Sequence, residues 1–193
     1  MSDKKTPSIY LAGPDVFLPN AVGFAATKKA ACAAHGFFGV FPLDAELTFP
    51  AAMSARERGC AISAANESLM RGCDLLIANC TPFRGISMDV GTAFEVGFMR
   101  ALGRPVLGYA NTGFSYAERA AAYRRFNQRA PGDGDVDATE IERFDMTENL
   151  MIEAAIVSSG SQLFCTTVSD TDQRLTDLAG FHLCLRDAVR LMA

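Results

Sequence analysis

Short apolar runs alternate with longer amphipathic stretches along most of this chain. Ser8 to Ala12 is apolar without a helical period and ends in Gly13-Pro14-Asp15, which predicts a strand followed by a turn. Ala21 to Ala34 has helical composition, and Gly36 supplies a C-terminal stop. Phe37 to Phe41, closed by Pro42-Leu43-Asp44, predicts a second strand. A helix follows over Ser54 to Arg71, with Ile62, Leu69 and Met70 available for its buried side. Then come a strand at 74 to 78, a helix at 90 to 102 and a strand at Pro105 to Ala110. A last helix, from about Thr171 to Met192, is expected to pack Leu175, Leu178, Leu185, Val189 and Leu191 near the core. Such alternation argues an α/β class: one doubly wound, mostly parallel sheet of roughly five strands, flavodoxin-like, with helices on both faces. Right-handed crossovers then gather the strand C-terminal ends on one edge. Gly13-Pro14-Asp15, Pro42-Leu43-Asp44 and the 79 to 89 loop converge there, at the kind of crevice where open sheets bind ligands.

The 193 residues suit one domain over 1–193, and the pattern shows neither repeats nor a second domain. From 111 to 148 the pattern breaks down, which reads as a polar flap on that domain. Within it, Ser115 to Gln128 predicts a helix with Arg119, Arg124, Arg125 and Arg129 on a basic face, read as solvated surface. Asp133, Asp135 and Asp137 have a calcium-loop spacing, but the Gly and the distal Glu that such a loop requires are not in place.

Composition narrows the partners. A net charge of −4 gives no general attraction to nucleic acid or to an acidic membrane. No apolar run approaches membrane-spanning length, and the first residues lack the apolar core of a signal peptide. Six cysteines, at 32, 60, 73, 80, 165 and 184, form no CxxC pair or dense framework, and most fall in apolar segments, so buried reduced thiols in a cytoplasmic protein are expected. His35 and His182 are too few for a histidine-based zinc site.

The candidate chemistry lies in Thr81 to Phe98. Glu95 sits among Ala93, Phe94, Val96, Gly97 and Phe98, a carboxylate on an apolar helix stretch. Burying it unpaired costs several kcal/mol, so it needs either partners or a cavity where its charge is used; the alternative is an exposed helix residue. Asp89, six residues earlier, stands where an N-cap is expected.

The segment from Asp74 through Thr81-Pro82-Phe83-Arg84-Gly85 to Asp89-Val90-Gly91-Thr92-Ala93-Phe94-Glu95 resembles the signature of the nucleoside 2-deoxyribosyltransferase family. Tyr10-Leu11-Ala12-Gly13-Pro14-Asp15 and Asn149-Leu150-Met151 are similar to two further blocks of that family, in matching order over roughly residues 8 to 160. The resemblance implies base exchange by double displacement, with no cofactor and no metal. Glu95 would attack the anomeric carbon and carry the sugar as a covalent intermediate. Asp89 would contact the sugar 5-hydroxyl, and its charge would repel a 5-phosphate, which favours unphosphorylated deoxynucleosides. Tyr10 would hold Glu95 in place, though it could equally be a core aromatic with its hydroxyl at the sheet edge, and Gly91 opens the motif that carries Glu95. Asn66 matches a position where some members have a base-protonating aspartate; an amide can hydrogen-bond a base but cannot act as its acid. Asp15 or Asp44 could take that role, though either could equally cap a turn. Phe17 could stack on the base or belong to the core, and Arg84 is expected to brace the loop. Asn149 and Met151 would reach the pocket of a neighbouring subunit, so a homo-oligomer is expected. Two other readings stay open: an N-glycoside hydrolase of deoxynucleosides or their monophosphates, and a non-catalytic nucleotide-sensing module on the same scaffold.

Overall fold

The computed structural model describes residues 5–127 and 139–193. The calcium-like aspartates 133, 135 and 137, and Arg129 of the basic face, lie outside the described residues. Five parallel strands form one sheet in the order β2-β1-β3-β4-β5, with β1 at Ser8–Ala12, β2 at Phe38–Val40, β3 at Leu75–Asn79, β4 at Val106–Ala110 and β5 at Leu163–Cys165. The helices are α1 (Ala21–Ala34), α2 (Ala55–Gly72), α3 (Val90–Ala101), α4 (Tyr116–Asn127), α5 (Leu150–Val157) and α6 (Ala179–Met192). The order reverses between β1 and β3, so the switch-point crevice opens beyond Ala12 and Asn79.

Strand alternation divides the core into two layers. Ile9, Leu11, Leu75, Ile77, Leu107 and Tyr109 point to one side and pack with Ala25 and Cys32 of α1 and with Phe181, Cys184, Leu185 and Ala188 of α6. Tyr10, Ala12, Leu76, Ala78, Val106 and Ala110 point to the other side, against Met70 of α2, Val96 and Met99 of α3, and Ile156 of α5. No helix among the described residues is long and apolar enough to cross a membrane.

Local chemistry accounts for the element ends. Ser54 and Glu57 form a reciprocal capping box that starts α2, and Asp89 caps α3 by accepting Thr92 N–H at 3.0 Å. Gly13 permits the close approach of β1 and β3: a Cβ there would lie 2.8 Å from Asn79 Cβ.

The structure departs from the sequence expectation in four places. The last helix begins at Ala179, not near Thr171; Thr171–Gln173 is a separate short turn, and the chain then runs along the sheet edge, where Asn79 and Asn111 bond the carbonyls of Leu175, Arg174 and Asp177. Val189 is 45% exposed, and Phe181, Cys184 and Ala188 take the buried stripe beside Leu185. Ile62 also faces solvent, because α2 sinks into the core only near Met70. Arg119 is not a solvated surface cation: its side chain is 10% exposed and is held by backbone carbonyls and Glu148. Cys32, Cys73, Cys80 and Cys184 are buried, whereas Cys60 and Cys165 are exposed; all six are free thiols.

Candidate active site

Tyr10, fully buried in the second strand position of the sheet centre, points its hydroxyl at α3 and donates a hydrogen bond to Glu95 Oε1 at 2.8 Å. The contact joins residues 85 positions apart, which only the β1–β3 pairing makes possible. Burial raises the Glu95 carboxyl to about 7; the charge of nearby Asp89 adds to the rise, and the Tyr10 bond opposes it. Burial, then the adjacent Glu95, pushes the Tyr10 phenol far above its ordinary range, so it remains a donor. Near neutrality Glu95 therefore divides between a neutral acid and a poorly solvated carboxylate. Such a carboxylate is a competent nucleophile toward an electron-poor anomeric carbon.

Asp89 spends one oxygen on structure. Oδ2 accepts both Thr92 N–H and Thr92 Oγ1–H, whereas Oδ1 accepts no bond among the described residues. The N-cap role and a ligand-facing role are thus compatible in one side chain. Gly91 preserves the space beside it, since a Cβ there would come within 3.0 Å of Asp89 Oδ2.

Asn66 lies on the inner side of α2, one turn before Met70, and its Oδ1 is buried without a hydrogen-bond partner among the described residues. An unsatisfied buried acceptor is costly, and a donor on a ligand would relieve it. Phe17 is half-exposed and stacks on Phe83 with centroids 5.4 Å apart, while the Arg84 guanidinium covers both rings at 4.8 and 4.6 Å. Arg84 therefore braces the loop, and it does so from a left-handed backbone (φ 54°).

Two carboxylates that could have protonated a base are otherwise engaged. Asp15 is fully buried; Oδ2 meets Lys28 Nζ at 2.6 Å and Oδ1 accepts the Asn79 amide at 3.0 Å. Asp44 accepts the Phe41 N–H at 2.8 Å and pairs with Lys29. Asp15 and Asp44 thus act as an internal ion pair and a turn cap in this chain. Asn149 caps α5 by accepting Met151 N–H at 3.0 Å, and its amide donates to both oxygens of Glu142. Met151, on the same first turn, is 71% exposed. A hollow of about 930 Å³ lies along α4 between Phe114, Arg125, Arg143 and Asp145, and includes none of these groups.

Lys28 and Glu148 were missed in the sequence. Lys28 had a signal: Ala21, Ala25, Lys28 and Cys32 are the buried positions of α1, so a lysine falls on an apolar stripe and demands a buried anion. Glu148 had none, because apart from the adjacent Asn149 N–H its partners are 29 to 61 residues away. Among the described residues, no group of three histidine, cysteine, aspartate or glutamate side chains could hold a metal ion.

A model of nucleoside 2-deoxyribosyltransferases matches residues 9–151, from β1 to the start of α5. The uncharacterized protein C191.05c of Schizosaccharomyces pombe is 32% identical over 192 residues, covering 89% of this chain and 91% of that protein. A 2-desoxiribosyltransferase from Leishmania mexicana has the same fold with a TM-score of 0.61 and 27% identity, over 87% of this chain and 93% of its own. A conserved protein from Enterococcus faecalis V583 shares the fold at a TM-score of 0.52 and 16% identity, over 95% and 99% of the two chains. The single parallel sheet, its switch-point site and the matched blocks together support an enzyme of deoxyribosyltransferase type. The chain belongs to the nucleoside 2-deoxyribosyltransferase family.

Proposed function

We propose that the protein transfers the 2-deoxyribosyl group of an unphosphorylated deoxynucleoside from one nucleobase to another, through a covalent glutamyl–deoxyribose intermediate on Glu95. The observation that carries this reading is the Tyr10–Glu95 pair: a half-buried carboxylate with no cation partner among the described residues, held at 2.8 Å by a phenol. In the first step a Glu95 oxygen forms a bond to the anomeric carbon, and the carbon–nitrogen bond breaks with its electron pair leaving on the base. In the second step a nitrogen of the incoming base attacks the same carbon, the ester bond to Glu95 breaks, and the carboxylate is regenerated. Asp89 Oδ1 accepts the sugar 5-hydroxyl and disfavours a phosphate there. With an amide at Asn66, the leaving base draws its proton from a group other than residue 66.

A second copy of the chain completes the pocket in this reading. Helix α5, Leu150 to Val157, is apolar on nearly every side, yet Met151 and Val157 face solvent together with Val90 and Phe94 of α3. A helix apolar all round is normally covered. Mixing Asn149→Ala and Glu95→Ala chains, each inactive alone, should restore part of the activity after subunit exchange. A pocket built within one chain would recover none.

The deciding experiment incubates one deoxynucleoside with and without a second free base and follows both nucleosides. Formation of the new deoxynucleoside, together with a one-deoxyribosyl mass increase on the Glu95 peptide, is expected. Base release that ignores the acceptor would make the protein a hydrolase. No release over hours would leave the sensing module. A parent preference for the 5-monophosphate would overturn the role given to Asp89.

A further inference from the structure

Glu148 is a second internal anion whose partners all serve the site. It is 1% exposed, and its two oxygens divide four donors between them. Oε1 accepts Ser87 Oγ–H and the Asn149 N–H at 3.0 Å; Oε2 accepts the Met88 N–H at 3.1 Å and faces Arg119 Nη2 at 3.4 Å. Arg119 also donates to the carbonyls of Ile86, Phe114 and Thr147, each at 2.6 Å. One ion pair therefore ties together the 81–89 loop, the approach to α4 and the turn into α5. The tied backbone atoms are those that matter: Met88 immediately precedes Asp89, and Asn149 is itself a candidate ligand contact. Simple fastening of α4 to the core would be served as well by apolar packing, without the desolvation cost of two charges.

We propose that Glu148, braced by Arg119, is a positioning residue that fixes the backbone at Met88, and through it Asp89, and so places the 5-hydroxyl end of the sugar. The proposal rests on the function given above, and its test separates the two. The contact it sets is specific to one substituent of the substrate, so the substituent can be removed. Wild type and Glu148→Gln are compared, well below the Tm of each, on a deoxynucleoside and on the same nucleoside lacking the 5-hydroxyl. With the hydroxyl present, the variant should lose about 10- to 100-fold in kcat/KM, mainly through KM, as expected for a contact displaced by about an ångström. Without the hydroxyl, most of that loss should vanish.

A merely structural Glu148 would lower Tm and leave the two losses equal, and equal losses overturn the proposal. Ser87→Ala removes one donor without stranding a charge and should give the same pattern at smaller size if Glu148→Gln does not fold. If wild type neither transfers nor hydrolyses, the function above falls, and the tie is then read by amide hydrogen exchange. Glu148→Gln, or Ser87→Ala in its place, must then accelerate exchange at 87–89 and at Asn149 together. Acceleration in one segment only, or in neither, overturns it.

Discussion

Asp15 and Glu95 are carboxylates on opposite sides of one sheet, the first fully buried and the second half-buried, and their surroundings leave them open to different chemistry. Asp15 meets a fully buried ammonium, Lys28, and an amide, Asn79, while the rings of Phe181 and Tyr109 wall in the cation at 4.8 and 5.7 Å. Glu95 meets one phenol and, further off, a like charge. An anion with a matched cation is electrostatically closed, and has nothing left to offer a substrate. An anion held by a neutral donor keeps most of its unsatisfied charge, at the cost of a raised pKa. The half-buried acid with no cation among the described residues, rather than the fully buried and ion-paired one, is the group left able to act on a substrate.

The comparison breaks first under amide substitution. Glu95→Gln should lower transfer on the order of 10³-fold or more, as removal of an acting nucleophile does, with the fold intact. Asp15→Asn strands the Lys28 charge and should cost about 3–5 kcal/mol, a fall in Tm of roughly 10 °C for a chain of this size. Asp15→Asn combined with Lys28→Met should recover much of that loss. Thermal melts and initial rates on the same preparations check both. Transfer surviving in Glu95→Gln, or an unchanged Tm in Asp15→Asn, would erase the distinction.

Much of this was legible in the sequence, for physical reasons that differ by element. The strands β1, β3 and β4 and the helices α1 and α3 were readable because periodicity and terminators are local properties. Strand β5 was not singled out, since Leu163–Cys165 is three residues long and only partly buried. The start of α6 was misplaced because residues 174–178 are held by side-chain amides from distant strand ends, which no local rule encodes. Glu95 was legible as a misfit on an apolar stretch, and its pairing with Tyr10 came through the family resemblance. That Asp15 is neutralised required Lys28, a partner thirteen residues away that was readable in the α1 stripe but not read.

pH separates the two acids next. In the proposed reaction only ionised Glu95 attacks, so kcat/KM should fall tenfold per pH unit below about 7, the value to which burial raises this carboxyl. The stability sign follows from the same shift. Folded Glu95 holds its proton more tightly than the unfolded chain does, so its stabilising contribution is complete below its ordinary value of 4.5 and disappears as pH rises through about 7. Glu95→Gln should therefore melt a few degrees above wild type at pH 8, where it removes a buried charge, and close to wild type at pH 4. Melting curves for the pair at both values measure this. A Glu95→Gln advantage that is the same at pH 4 and pH 8 would mean that Glu95 is not ionising across this range.

Tyr10→Phe is the finest test, because it touches the one interaction that, among the described residues, keeps Glu95 from being a wholly unpaired acid. The phenol donates at 2.8 Å and lowers the carboxyl against the larger effect of burial. Phenylalanine fills nearly the same volume in a fully buried position, so packing changes little. What is lost is a hydrogen bond to the charged form, worth about 1.5–3 kcal/mol by the usual range for charged acceptors. That loss should move the acid limb of the kcat/KM profile upward by about one to two pH units. Above the new limb the carboxylate is ionised again, so the rate should recover to within about tenfold of wild type, the remainder reflecting a less well oriented oxygen. Rates measured from pH 5 to pH 9 distinguish this from a catalytic tyrosine. If Tyr10 itself handed a proton to the leaving base, the rate would stay low at every pH and the limb would not move.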